Sequence, residues 1–189
     1  MRVPLPGMRR LLAVMARKDF AAMRDPISLN LNVGTVMSRD FQQFHKSVGE
    51  HAHKVVVEMQ LIDIFADINA FNYARDTLQR EGYRVLVDGL NPLSLQFFDP
   101  SDLKTDFIKI AWGAGYGADG DEERARELAD LVKHAGRDAI ILARVDSEDA
   151  VRWGLKLGIS RFQGYFIDKL VTAMAQKTMR RREQRLAKG

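Results

Sequence analysis

The chain has 189 residues, a formal net charge of +4 and no cysteine. This length is sufficient for one domain with a hydrophobic core. The lack of cysteine excludes a disulfide scaffold, thiolate metal sites and a thiol nucleophile, and it is typical of a reducing compartment, which predicts a cytoplasmic protein. No apolar run approaches the roughly 18 residues of a membrane span, so the sequence predicts no transmembrane segment.

Short apolar runs alternate with amphipathic segments along the chain. Runs such as Val55-Val56-Val57 are continuously apolar, which is typical of strands covered on both faces. We predict strands at Ile27–Val33, Lys54–Met59, Arg84–Asp88, Phe107–Trp112, Ala139–Arg144 and Arg161–Phe166. We predict helices at Met8–Met23, Ser38–Ala52, Asp63–Glu81, Leu93–Leu103, Asp121–Ala135, Ser147–Leu157 and Lys169–Leu186. This alternation indicates an α/β fold with a parallel sheet, either doubly wound or a barrel.

One polar residue interrupts each of five apolar strands near its carboxyl end. These residues are Asn30, Glu58, Asp88, Lys109 and Gln163. In a parallel barrel they would converge at one mouth, where such folds build their sites. The oxygens of Asn30, Glu58 and Asp88 suit Mg²⁺ or Ca²⁺. The alternative is an internal network without metal, in which Lys109 pairs with Glu58 or Asp88, because a lone buried charge is costly.

The order of these motifs resembles the EAL domains, a family of cyclic di-GMP phosphodiesterases. Ile27–Asn32 resembles the family's V-N-L-S strand, and Val57–Leu61 its L-E-I-T-E. The run Arg84–Leu90 resembles R-L-A-L-D-D-F-G, and Ile108–Ala111 resembles L-K-I-D. Ile140–Phe166 aligns without a gap to V-V-A-E-G-V-E-T, a helix and V-Q-G-Y, which is the most specific part. The resemblance covers about residues 10–168. We predict an EAL-like β/α domain at 1–168 and a basic C-terminal helix or tail at 169–189.

The resemblance implies an eight-stranded β/α barrel with two divalent metals at its mouth, with Asn30, Glu58 and Asp88 as metal ligands. The chain departs from the family where the family has further acidic residues. Those positions hold Leu61, Gly89, Ala111 and Ala143. The E-A-L strand itself has no counterpart, and the chain is expected to begin after the family's first two strands. We therefore predict an incomplete or modified TIM-like (β/α) barrel of the EAL type, with about six parallel strands.

These departures predict a catalytically inactive EAL-like domain that acts as a regulatory or scaffolding module in bacterial signalling. Two-metal hydrolysis requires a carboxylate-rich cage, which the residues of this chain do not supply. We therefore expect that no cofactor is required. Weak binding of Mg²⁺, Ca²⁺ or cyclic di-GMP is left open. Six strands leave two open barrel edges, which favours a protein partner or a homodimer. The alternatives are a phosphodiesterase completed by another subunit or domain, and a barrel unrelated to nucleotide signalling.

Three other signals are weaker. Gly115–Gly120 matches G-x-G-x-x-G but follows the fourth predicted strand, so we interpret it as a loop before a helix capped by Asp121. His45, His51 and His53 are interpreted as surface residues rather than metal ligands. The tail carries much of the positive charge while the body is near neutral, which excludes a general nucleic-acid binder. Its last helix is either packed in its first half, or docked to an acidic partner or anionic lipid.

Overall fold

The computed structural model describes residues 6–113, 115–117, 120 and 122–186. The strands are β1 (Ile27–Asn30), β2 (Val55–Gln60), β3 (Arg84–Leu90), β4 (Phe107–Ala111), β5 (Ile140–Ala143) and β6 (Arg161–Phe162). The helices are α1 (Pro6–Met15), α2 (Val33–Val36), α3 (Arg39–Val48), α4 (Leu61–Ala66), α5 (Ile68–Arg80), α6 (Glu122–Ala135), α7 (Glu148–Lys156) and α8 (Tyr165–Leu186). Short 3-10 helices cover Gly49–Lys54, Ser94–Gln96 and Pro100–Leu103.

The six strands form one sheet in the order β1-β2-β3-β4-β5-β6. β1 pairs with β2, β2 with β3, and β5 with β6, all in parallel. Consecutive parallel strands need a crossover, and helices supply it here. Six parallel strands alternating with helices confirm the predicted α/β class and the incomplete TIM-like (β/α) topology.

The chain divides into two compact units. The first comprises the residues up to Leu90 together with Asp99–Lys109. Its core lies between one face of β2 and the helices beside it. Val55, Val57 and Met59 of β2 are fully buried, and so are the rings of Phe44 on α3 and Phe71 on α5. This packing orients β2, so that its alternate residues face the other side of the sheet.

The second unit comprises Asn91–Phe98 and the residues from Ile110 onward. Ile140 and Leu142 of β5 are fully buried. Gly164, just after β6, has a φ of +149°, and a Cβ there would overlap the backbone N and O of Val145. The chain can therefore pass from β6 into α8 only because this residue is glycine.

Several predicted boundaries are wrong, and each has a local cause. The strand predicted at Arg161–Phe166 ends at Phe162, since α8 begins at Tyr165 directly after Gly164. The strand predicted at Ile27–Val33 ends at Asn30, because Asn32 caps the short helix α2 by accepting a hydrogen bond from Thr35 N (2.8 Å). Asn is among the best N-cap residues.

Four predicted helices are also wrong in extent or type. The helix predicted at Met8–Met23 ends at Met15, and the backbone carbonyls of Phe20, Ala21 and Met23 instead accept hydrogen bonds from Lys54 Nζ. The helix predicted at Asp63–Glu81 is interrupted at Asp67, whose side chain caps α5. Leu93–Leu103 forms two 3-10 helices rather than one α-helix. The end of Ser38–Ala52 is likewise 3-10 helix.

Helix α8 differs from the other helices in its exposure. Every side chain described between Asp168 and Arg180 is exposed. Among the described residues, no helix is long and apolar enough to cross a membrane.

Candidate functional site

The candidate residues of the first unit lie on the face of the sheet opposite its helix-packed core. On β2, Val56, Glu58 and Gln60 occupy this face, because successive strand residues alternate. The register places Glu58 beside Asn30 of β1 and Gln60 beside Asp88 of β3.

Glu58 and Lys109 form a buried ion pair on this face. Lys109 Nζ lies 2.7 Å from Glu58 Oε2, and the two residues are only 6% and 8% exposed. The other carboxylate oxygen of Glu58 accepts a hydrogen bond from the Ser28 hydroxyl. Both oxygens of the buried carboxylate are therefore occupied by donors from this chain, which removes most of the penalty for burying it.

Asp88 lies at the edge of the same group. Its Oδ2 is 3.7 Å from Lys109 Nζ and accepts a hydrogen bond from Gln60 Nε2 (3.2 Å), while its Oδ1 accepts one from Gly89 N (2.7 Å). Its side chain is 29% exposed, so water also reaches it. We call Ser28, Glu58, Gln60, Asp88 and Lys109 the Lys109 cluster.

Asn30 and Gln163 are exposed and do not belong to the Lys109 cluster. Asn30 ends β1 with its side chain exposed. Gln163 is exposed in the second unit, where its backbone N donates to Leu142 O (2.9 Å) and its carbonyl accepts from Val145 N (3.0 Å). Four of the five predicted residues thus lie in the first unit, and three of them are in contact.

Four neutral residues occupy the positions where the resemblance calls for further acidic residues, and each lies within or at the end of a strand or at the start of a helix. Gly89 has a φ of +93°, in the left-handed region that favours glycine over aspartate. Ala111 ends β4, and Ala143 ends β5 with its side chain buried. Leu61 begins α4.

Sequence reasoning missed Ser28 and Gln60. Both could have been found from strand alternation, because Ser28 lies two residues before Asn30 and Gln60 two residues after Glu58. A polar residue two positions from a predicted ligand on a strand shares its face.

In the Lys109 cluster, one ammonium lies between two carboxylates. The cluster holds two carboxylates, one ammonium, one hydroxyl and one amide. Among the described residues, no group of three or more His, Cys, Asp or Glu side chains is arranged to hold a metal ion.

A cavity of about 380 Å³ lies elsewhere in the first unit, between α2, α4 and α5. Its lining includes Asn32, Met37, Asp63 and Asp67. No member of the Lys109 cluster lines it, so this cavity is not the predicted site.

The three histidines singled out from the sequence, His45, His51 and His53, contact protein side chains or backbone. His45 Nδ1 is 3.1 Å from the Tyr83 hydroxyl, and its Nε2 is 3.2 Å from Glu81. Burial, reinforced by the nearby Glu81 charge, raises the pKa of Tyr83. His53 Nδ1 contacts the Glu50 carbonyl oxygen at 3.1 Å, and His51 lies 4.0 Å from the Glu50 carboxylate.

The G-x-G-x-x-G segment lies only partly within the described residues. Gly115 and Gly117 both have positive φ, as expected in a loop. The predicted cap Asp121 lies outside the described residues. Helix α6 opens with Glu122 and Glu123, whose negative charges disfavour a phosphate at that helix end.

Comparisons with known proteins identify the family of this chain. The model of the EAL domain family matches residues 7–169. The solved structures that match include the FimX EAL domain of Xanthomonas citri in complex with c-diGMP, at 12% identity and a TM-score of 0.66, covering 85% of this chain and 66% of that one. The LapD S helix-GGDEF-EAL structure of Vibrio cholerae bound to c-di-GMP matches at 16% identity and a TM-score of 0.64, covering 85% of this chain and 40% of that one.

The Bacillus subtilis YkuI protein, with an EAL domain, in complex with c-di-GMP and calcium, matches at 17% identity and a TM-score of 0.61, again covering 85% of this chain and 40% of that one. This chain therefore spans 40% to 66% of the length of these three structures. At such identities the likeness shows a shared fold. The comparison with curated proteins gives no match.

Proposed function

This chain belongs to the EAL domain family, and from that premise we propose that it is a catalytically inactive regulatory or scaffolding module of bacterial cytoplasmic signalling. It acts by protein–protein interaction. The family is related to c-di-GMP signalling, and this member would keep a part in that signalling without hydrolysing the dinucleotide.

The observation that carries the proposal is the shortage of carboxylates around Glu58. Its carboxylate is bound by the ammonium of Lys109 and the hydroxyl of Ser28 within a buried setting. The L-K-I-D motif of the family also has a lysine at this position, so the ion pair alone does not distinguish this chain. What distinguishes it is that neutral residues stand at four positions where the resemblance calls for acidic ones.

The residues present do not fit a two-metal centre. Two divalent ions a few ångströms apart need several carboxylates to balance their charge. The predicted ligands supply two carboxylates, Glu58 and Asp88, and the Lys109 ammonium already offsets one of them. The positive φ of Gly89 further disfavours an acidic residue next to Asp88. We therefore propose that the chain requires no metal, with weak Mg²⁺ or Ca²⁺ binding by the predicted ligands Asn30, Glu58 and Asp88 as its upper limit.

The interaction surfaces that we propose are the ends of the sheet. β1 and β6 are its first and last strands. β1 pairs with β2 and stands at the end of the strand order, and a strand edge readily pairs with another chain where nothing covers it. A protein partner or a second copy at this edge would use backbone hydrogen bonds, which need no catalytic residues.

A second candidate is a phosphodiesterase completed by another subunit or domain. The exposure of Asn30 at the end of β1 favours it, because strands added at this edge would bring new side chains next to Asn30 and Glu58. The FimX and YkuI structures hold c-di-GMP, and YkuI also holds calcium. On this alternative, the added strands supply the acidic ligands that the chain lacks.

Isothermal titration with cyclic di-GMP, in the presence and absence of Mg²⁺ or Ca²⁺, tests the proposal, followed by chromatography for a linear dinucleotide product. We expect no product. Binding without product would define a receptor, and Asp88→Ala and Gln163→Ala should then weaken it while the exposed control Asp149→Ala should not. No binding would leave a scaffold that acts only on proteins. Metal-dependent product from the isolated chain would overturn the proposal.

A further inference from the structure

Helix α8 presents large apolar side chains to solvent. Leu170, Val171 and Met174 are 43%, 61% and 68% exposed. Together with Ile167 they occupy positions i, i+3, i+4 and i+7, which share one face of a helix. A contiguous apolar stripe left in water is unusual for a protein surface and indicates an interaction site.

The stripe runs into a strongly basic segment. Lys177 and Arg180 are exposed on α8, and the sequence continues with Arg181, Arg182 and Arg185. Of the chain's 29 Lys and Arg residues, 22 precede Tyr165, as do 23 of its 25 Asp and Glu residues. The rest of the chain is therefore nearly neutral, and the net positive charge is concentrated at α8.

We propose that α8 binds the surface of an anionic phospholipid membrane. The first half of the helix would bring its apolar stripe to the boundary between head groups and acyl chains, and the basic residues follow the stripe along the sequence. The basic segment would lie against the anionic head groups, where each Lys or Arg adds to the attraction. The helix of 22 residues has room for both parts, the stripe over its first half and the basic cluster over its second.

A second copy of the chain fits this surface less well. The apolar stripe covers about two helical turns, whereas a coiled coil needs about three to four heptads. The exposed Lys177 and Arg180 directly follow the stripe, so a parallel pair would bring like charges close together just beyond it. The charge and the short stripe together favour an anionic lipid surface.

Vesicle flotation of the full chain tests the proposal. Vesicles of pure phosphatidylcholine are compared with vesicles that also contain phosphatidylglycerol. We expect binding to the anionic vesicles only, weakened by added salt. Both Val171→Glu/Met174→Glu and Arg180→Glu/Arg181→Glu/Arg182→Glu should reduce binding to anionic vesicles by at least about tenfold.

Two matched controls separate α8 from general stickiness. Ile62 and Phe65 on α4 are 73% and 55% exposed, so Ile62→Glu/Phe65→Glu removes comparable apolar surface elsewhere. Arg126→Glu/Lys133→Glu reverses exposed charges on α6. Neither control should change vesicle binding.

Three outcomes would overturn the inference. The first is no binding to anionic vesicles, and the second is equal binding to both kinds of vesicle. The third is a dimer in sedimentation that Val171→Glu/Met174→Glu dissociates while vesicle binding is unaffected, because the stripe would then belong to a second copy. Circular dichroism of each variant checks that the fold is retained.

Discussion

The Lys109 cluster and helix α8 use the same kinds of charged residue in opposite ways. Lys109 is buried, and its ammonium lies 2.7 Å from the carboxylate of Glu58 and 3.7 Å from that of Asp88. Lys177 and Arg180 of α8 are exposed to solvent, beside an apolar stripe whose side chains are also exposed.

The charge of Lys109 is paired inside the protein, whereas the charges of Lys177 and Arg180 are exposed and available to a binding partner. A buried pair contributes little net stability but becomes costly when one partner is removed. Exposed charges cost little to keep or to lose, and their value appears only on binding. Stability measurements should therefore report on the first region and binding measurements on the second.

The largest effect is expected from Lys109→Met. This change keeps the apolar stem and removes the ammonium, which leaves Glu58 buried with only the Ser28 hydroxyl. We expect a loss of about 3–5 kcal/mol in the free energy of unfolding, measured by urea denaturation. Lys133→Met, at an exposed ion pair with Asp130, is the control and should change it by less than about 0.5 kcal/mol.

Replacing both partners should cost less than replacing one. In Glu58→Leu/Lys109→Met the buried charge is gone together with its counterion, so no uncompensated group is left. We expect the double variant to be more stable than Lys109→Met alone by at least about 1 kcal/mol. A double variant as unstable as the sum of the two single variants would show that the pair is not coupled.

A smaller effect is expected from Ser28→Ala. The hydroxyl donates to the Glu58 carboxylate from the exposed edge strand β1. Water can partly replace it there, so we expect a loss of about 1 kcal/mol in the free energy of unfolding. Ser47→Ala, at an exposed hydroxyl on α3, is the matched control.

The smallest effect on stability is expected in α8. Val171→Glu/Met174→Glu should change the free energy of unfolding by no more than about 0.5 kcal/mol, because both side chains are exposed. The same urea denaturation series measures it. A large loss would mean that the stripe packs against the fold, and the contrast between the two regions would then disappear.

The strands could be predicted from the sequence because apolar runs of strand length are strong local signals, whereas the barrel topology followed only from the family resemblance. The pairing of Lys109 with Glu58 was one of two alternatives that the residues left open, since a buried lysine needs a carboxylate but spacing alone does not select the partner. The structure contains that pair.

Element boundaries were harder to predict because they depend on single side chains. Asp67 lies within a helical pattern, yet its side chain accepts a hydrogen bond from Ala70 N and starts a new helix. Lys54 fixes the backbone of residues 20–23 from a distance of more than 30 positions along the chain. No local sequence pattern encodes such a contact, whereas the cap at Asp67 could have been recognised.

The Lys109 cluster also bears on the accuracy of folding. Strands β1 to β4 each contribute to it, through Ser28, Glu58, Asp88 and Lys109. A slip of β2 by a single residue would turn Glu58 towards the layer of Val57 and Met59, where side chains are fully buried. An unpaired carboxylate there costs several kcal/mol. The row of polar residues therefore disfavours misaligned strands relative to the native register. This role does not depend on any bound ligand.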